Sequence, residues 1–141
     1  MQLAGKIRLR IITPRREKEN IEVDMVIMRC TTGEMGILPG HAPCSAVLDF
    51  GSLRILEDKT ERRMAVYGGI AQVKNDVVTV LANGADWPED IDFAKASALR
   101  DEIEARIRER ERDGHTSLQK DRAALRQALV QIEVSSYSNK N

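Results

Sequence analysis

Aromatic residues are scarce in this chain of 141 residues: Phe50, Phe93, Tyr67, Tyr137 and Trp87 complete the set. Whatever core forms must therefore be mostly aliphatic. Cysteine is scarcer still. Cys30 and Cys44, with no CxxC between them, exclude a disulfide framework and a cysteine-built zinc site. They read as two partly buried thiols in a reducing compartment. No apolar run approaches the roughly twenty residues that a bilayer-spanning helix needs. The opening Met1-Gln2-Leu3-Ala4-Gly5 lacks the basic start and apolar stretch of a signal peptide. The expectation is a soluble, cytoplasmic protein that meets a membrane only through partners. Net charge is missing too: 22 basic residues balance 22 acidic ones. That balance argues against nucleic acid as the main partner.

Catalytic and nucleotide motifs are also absent. His41 and His115 are the only histidines, and they fall on different predicted elements. There is no HxxxH, no nucleophile turn with Ser/His/Asp order and no GxxxxGK[ST] loop. Glu34 and His41 have the chemistry of an acid–base pair, but neither a nucleophile nor a ligand set accompanies them. No catalytic constellation follows, and the chain reads as a binding or structural protein.

What the chain does have is one dense turn sequence, Gly33-Glu34-Met35-Gly36-Ile37-Leu38-Pro39-Gly40-His41-Ala42-Pro43. Glycine reaches backbone angles closed to other residues, while proline fixes its own φ and restricts its predecessor. The segment reads as a rigid turn, pinned to a core by Ile37 and Leu38, that presents Glu34 and His41.

Around it, residues 6 to 83 carry strand signals. Lys6 to Ile11 alternates charged and apolar residues, and Pro14 ends it. Ile21 to Met28 reads as a strand, Ser52 to Leu56 as a short one, and Glu57 to Arg63 as a polar connection. Met64 to Val73 and Val77 to Leu81 flank Lys74-Asn75-Asp76, a tight-turn sequence for a hairpin. Gly68-Gly69 inside a strand predicts a bulge or a close backbone approach. Short strands at this spacing indicate an antiparallel sandwich or barrel.

At Trp87-Pro88-Glu89-Asp90 the period changes. Phe93, Ala96, Leu99, Ile103 and Ile107 follow one helix face, with Asp92 as N-cap and Asp113-Gly114 as the stop. A second helix begins at Thr116 or Ser117, with Leu118, Leu125, Ala128, Leu129 and Ile132 as its stripe. The fold class is thus an all-β sandwich over 1–87 followed by an antiparallel α-helical hairpin over 88–141. Such narrow, alanine-rich stripes bury about a few hundred Å² per helix, a modest surplus over ordering cost at roughly 25 cal/mol per Å². A hairpin that detaches and one permanently docked both remain open.

Charge is graded along the hairpin. Asp86, Glu89, Asp90, Asp92, Asp101, Glu102 and Glu104 dominate its base, and Arg106, Arg108, Arg110, Arg112, Lys120, Arg122 and Arg126 its tip. Part of the gradient suits the helix dipole. The basic tip reads either as a solvated face or as a surface for an acidic protein.

The turn Gly33 to Pro43, followed in order by Leu53-Arg54-Ile55, Gly68-Gly69, Val78-Thr79-Val80-Leu81-Ala82 and Glu89-Asp90-Ile91-Asp92, closely resembles the epsilon subunits of bacterial rotary ATP synthases. The resemblance implies a non-catalytic central-stalk rotor subunit of a proton- or sodium-driven complex, peripheral at the cytoplasmic face of the membrane. Its implied partners are the gamma subunit, the c-subunit ring and the alpha and beta subunits of the catalytic head, with no nucleic acid. By the same resemblance Glu34 and His41 face the c ring, while Arg106, Arg108, Arg110, Arg122 and Arg126 meet the head and inhibit ATP hydrolysis. No cofactor is required. A weak regulatory ATP site is implied at Ile91, Asp92, Lys95 and Ala96, where lysine stands in place of the family's arginine and loses its planar fork. The second helix carries Gln127 and Gln131 where the family has two arginines. The alternative is a stand-alone nucleotide-sensing adaptor on the same scaffold.

Overall fold

The alternation in the first strand becomes a two-faced β1 (Ile7–Ile12), with Ile7, Leu9 and Ile11 fully buried. The computed structural model describes residues 5–115 and 118–140. After β1 come β2 (Glu17–Val23), β3 (Met25–Cys30), β4 (Gly33–Ile37), β5 (Cys44–Glu57), β6 (Thr60–Lys74), β7 (Val77–Ala82) and the short β8 (Ala85–Asp86). A 3-10 turn at Pro88–Asp90 leads into helices α1 (Phe93–Arg112) and α2 (Gln119–Lys140).

The strands hydrogen-bond in the order β2-β1-β7-β6-β5-β3-β4, with β8 added against β6. All described pairings are antiparallel except β1 with β7. One continuous ladder becomes a sandwich because β5 and β6 serve both layers. The first part of β5 pairs the last part of β6 beside β7, and its second part lies against β3. At the crossing, Gly68 and Gly69 take φ of +80° and +140°. A Cβ on Gly69 would stand 2.2 Å from the Leu81 carbonyl oxygen. The inward positions change parity there: Met64 and Val66 point in before it, Ala71 and Val73 after it. On β5 the inward set likewise changes from Leu48 to Leu53 and Ile55. The β5–β6 register itself is unbroken, with Leu48 opposite Gly69 and Phe50 opposite Tyr67. Of the two expectations for this glycine pair, close approach is the one found.

The core is aliphatic, built from Ile7, Leu9, Ile11, Val23, Val26, Met28, Ile37, Ile55, Met64, Val78 and Val80, with Trp87 at its margin. Four strand readings need correction. Ile21 to Met28 is not one strand: β2 ends at Val23, and β3 starts at Met25. Gly33–Ile37 is not a turn but edge strand β4, paired to β3 from Val26–Ile37 to Cys30–Gly33; the turn proper is Leu38 to His41. Leu38 is exposed, and only Ile37 enters the core. The short strand at Ser52 is the second half of the long β5, and Thr60 to Arg63 belongs to β6, entered through Asp58 and Lys59 at positive φ.

In the hairpin, Asp92 caps α1 by accepting from the Lys95 N–H at 3.1 Å, and Gly114 at φ +84° follows its end. The proposed start of the second helix, Thr116 or Ser117, lies outside the described residues. Ile103, Ile107 and Leu118 form the helix–helix contact with Leu125. Phe93, Leu99 and Leu129, expected on the buried stripes, are exposed. The reason is geometry: α2 packs on β5 and β6 as well as on α1. Its second buried face, Val130 and Val134, rests on Ala65 and Tyr67.

Candidate interaction surfaces

The tip of the sandwich is held by its neighbours. Gly40 has φ +85°, its N–H donates to Asp76 Oδ1 at 2.7 Å, and His41 N–H donates to the Leu38 carbonyl at 3.2 Å. Asp76 comes from the β6–β7 hairpin, whose Asn75 and Asp76 both take positive φ. Two turns are thus tied to one another. His41 Nδ1 donates to the Ala42 carbonyl at 2.7 Å. Glu34 sits on β4 opposite Arg29 and is exposed. Among the described residues no hydrogen bond joins Glu34 to His41. Glu34 lies beside Arg29 and Asp49 at the far end of β4 from the Leu38–His41 turn, so the two are separate surface groups and not an acid–base couple.

On the outer face of the sheet, Val47, Ile70 and Leu81 are 58%, 51% and 49% exposed. They are direct cross-strand neighbours: Val47 opposes Ile70, and Ile70 opposes Leu81. A row of β-branched and aliphatic side chains on three adjacent strands is a contiguous apolar strip, the kind of surface that marks an interface. Sequence reading missed it, because the parity change at Gly68–Gly69 decides which residues face out. The strip continues a face whose other half, Phe50 and Tyr67, is covered by α2.

That cover is fastened by side chains. Gln131 Nε2 donates to the Tyr67 hydroxyl at 3.1 Å, and the hydroxyl donates to Asp86 Oδ2 at 2.7 Å. Burial, followed by the neighbouring Asp86, pushes the Tyr67 phenol well above its ordinary pKa. Arg126 pairs with Asp49 and lies 4.8 Å from the Phe50 ring centre. Arg63 stacks on Tyr137 at 3.8 Å while bonding Glu61 at 2.7 Å, and Arg62 stacks on Trp87 at 4.0 Å. Glu61 also takes a bidentate contact from Arg54. Arg54 first, and then Arg63, hold the Glu61 carboxyl down at about 2 against partial burial.

The basic tip is less free than its composition suggests. Arg106 Nε and Arg110 Nη1 both bond the buried Asp121, at 3.1 and 3.0 Å, and Arg122 pairs with Glu111 at 2.8 Å. With Arg126 on Asp49, four of the five arginines read as head contacts have acidic partners within the chain. Arg108 is exposed.

The residues read as an ATP site serve other ends. Ile91 packs beside the Ala65, Tyr67, Val130 and Val134 cluster, Ala96 is buried and Asp92 is the helix cap. Lys95 is exposed. An open cleft of about 530 Å³ lies nearby, lined by Arg15, Lys18, Phe50, Tyr67, Asp86 and Gln127, and none of the four residues lines it. Asp92 and Ala96 offer no free recognition group, so the four do not make a nucleotide site by themselves. Among the described residues no cluster of His, Cys, Asp and Glu has the geometry to hold a metal ion.

Residues 6–88 match the family described as ATP synthase, Delta/Epsilon chain, beta-sandwich domain. Over 129 residues the chain is 34% identical to the ATP synthase epsilon chain of Bacillus velezensis, covering 92% of this chain and 96% of that one. It is 36% identical to that of Synechococcus elongatus, covering 92% and 94%. Against that of Carboxydothermus hydrogenoformans it is 42% identical over 109 residues, 77% of this chain and 81% of the other. Among solved structures, a chain of the Euglena gracilis mitochondrial ATP synthase OSCP/F1/c-ring assembly superposes with TM-score 0.68 at 22% identity, covering 100% of this chain and 85% of that one. This last likeness is one of fold.

Proposed function

The chain belongs to the delta/epsilon-chain family of ATP synthase, a non-catalytic subunit of the rotary complex, and on that premise we propose that it is a central-stalk rotor subunit coupling c-ring rotation to the catalytic head through gamma. The carrying observation is the exposed row Val47–Ile70–Leu81 on a rigid sheet. Gamma covers this strip, since a rotor joint transmits torque best through a close-packed face on regular structure. Glu34 on β4 and His41 on the foot formed by the Leu38–His41 turn offer polar groups to the loops of the c subunits. The tie between Gly40 and Asp76 stiffens that foot.

Residues 1–87 are then the adaptor and 88–141 a regulatory hairpin. In the regulatory state Arg106, Arg108, Arg110, Arg122 and Arg126 meet an acidic surface of the head and block ATP hydrolysis. The protein is peripheral at the cytoplasmic face of the membrane through its partners, in a complex driven by protons or sodium. Of Ile91, Asp92, Lys95 and Ala96, the exposed Lys95 is the group left to meet a phosphate, so ATP acts there only as a weak regulatory ligand.

Co-purification with gamma and the head subunits tests the rotor role, and its failure leaves the nucleotide-sensing adaptor as the remaining reading. Truncation after Trp87 is expected to leave a folded, gamma-binding sandwich and to raise ATP hydrolysis by the assembled complex. Unchanged hydrolysis would remove the inhibitory role and leave the coupling role standing.

A further inference from the structure

We propose that Asn83 is a site of self-modification: the backbone nitrogen of Gly84 attacks its side-chain amide, and the neutral residue beside the strand crossing becomes aspartate or isoaspartate as the protein ages. Asn83–Gly84 is the one Asn–Gly pair in the chain. It links β7 to β8 and lines the open cleft of about 530 Å³, so water reaches both residues. Asn83 is exposed. Among the described residues the Gly84 N–H donates no hydrogen bond, while the Gly84 carbonyl accepts from Tyr67 N–H at 3.0 Å. The attacking nitrogen is therefore free, and glycine has no Cβ to crowd its approach. Comparable pairs lack one or other of these features. Asp113–Gly114 has its glycine N–H tied to the Glu111 carbonyl at 3.1 Å. Asn20 precedes the β-branched Ile21, and Asn75 precedes Asp76.

The step consumes water and nothing else. Hydroxide takes the Gly84 amide proton, the nitrogen bonds to Asn83 Cγ, the Cγ–Nδ2 bond breaks, and ammonia leaves as a succinimide ring closes. Water then opens the ring. Cleavage at Cγ gives aspartate on an unchanged main chain. Cleavage at the backbone carbonyl carbon gives isoaspartate, whose main chain runs through Cγ and is one carbon longer. Position decides what that carbon does. The Asn83 N–H donates to the Gly68 carbonyl at 2.9 Å, and the Gly84 carbonyl accepts from Tyr67, so the extra carbon falls between two bonds that set β8 against β6. The ladder pairs Val66–Ala85 and Ala65–Asp86 follow directly. Isoaspartate cannot keep both bonds, and β8 loses its register. Aspartate keeps the register and adds a carboxylate to the wall that carries Asp86, in a cleft also lined by Arg15 and Lys18.

The test ages the full chain in mildly alkaline buffer and maps its peptides by mass, with enzymatic methylation of isoaspartate as a second readout. Asn83 is expected to convert at least about tenfold faster than Asn20 and Asn75, because glycine follows it, and to give both products. Asn83→Gln should remove the mass change and the isoaspartate label from that peptide, since its longer side chain closes a ring reluctantly. Conversion no faster than at Asn75, or conversion that proceeds only in urea, overturns the site. The loss of register is read separately by amide hydrogen exchange. The isoaspartate fraction, isolated by chromatography, is expected to exchange faster at Tyr67 or at position 83 than the parent, while Asn83→Asp keeps the parent's protection. Exchange unchanged in the isoaspartate fraction, or quickened equally in Asn83→Asp, overturns the loss of register.

Discussion

Gly69 crosses Leu81 so closely that the Leu81 carbonyl oxygen occupies the space of a side chain: a Cβ would sit 2.2 Å from it and 2.9 Å from the Ala82 Cα. Both obstacles are backbone, so they cannot swing aside. Gly69→Ala is therefore expected to lose about 3 kcal/mol or more, combining the φ penalty with a displaced β7. Gly33→Ala is the control. Its φ of +126° is equally unfavourable to alanine, but nothing stands within 4 Å of its Cβ, and a loss of about 1 kcal/mol is expected. Urea unfolding of the two variants decides it, and equal losses would mean that the crossing is not a point of strain.

The same crossing explains what was legible from the sequence. The charged–apolar alternation of Lys6 to Ile11, the Asn75-Asp76 turn, the Asp92 cap and the Gly114 stop are local signals with local consequences, and each stands where it was read. The long β5 and β6 were harder. Their inward parity changes at Asp49–Phe50 and Gly68–Gly69, so no single alternation runs through either strand, and β5 looked like a short strand. The apolar strip of Val47, Ile70 and Leu81 depends on that change and was hidden with it. Gly33–Ile37 looked like a turn because two glycines sit in it, yet as an edge strand paired to β3 it needs little side-chain packing. On α2, Leu129 was assigned inward because a single stripe was assumed, whereas Val130 and Val134 serve a second face that only the sheet reveals. The candidate arginines were legible as a charge cluster, but their acidic partners Asp121 and Asp49 come from another helix and from a strand.

The apolar strip yields a sharp separation of stability from binding. Ile70 is half exposed, so Ile70→Asp is expected to change stability by under about 1 kcal/mol. A carboxylate in the middle of a desolvated apolar contact is costly, so gamma affinity should fall at least about tenfold. Calorimetric titration with gamma reads the second effect and urea unfolding the first. Unaltered affinity would exclude the strip as the gamma surface.

Acid stability carries a signature of Glu61. Its carboxyl lies near 2 when folded against an ordinary value of 4.5, mainly because Arg54 bonds it. A depressed folded value means that the pair's contribution is complete above about pH 4.5 and fades as pH falls towards 2. Glu61→Gln should therefore be less stable than the parent at pH 7 and approach it as pH is lowered through that window. A gap between the two that stays constant from pH 7 to pH 2.5 would sink the assignment.

Asp121 tests the integrity of the hairpin itself. Its side chain is 9% exposed and accepts from Arg106 and Arg110, two residues one turn apart on α1. Asp121→Ala leaves two guanidinium groups facing each other beside Ile107 and Leu118 with nothing between them, a loss of about 2 kcal/mol from the helix–helix contact. Asp121→Asn keeps the shape and one acceptor, so it should lose less, in proportion to the missing charge. Because α2 is also held to the sheet by Val130, Val134 and Gln131, the loss should appear first in α1. Amide hydrogen exchange should quicken across Ile103 to Arg112 while α2 beyond Leu129 and the strands keep their protection. Exchange that quickens uniformly through both helices would mean that α1 is held by something other than Asp121 and the small apolar cluster around it.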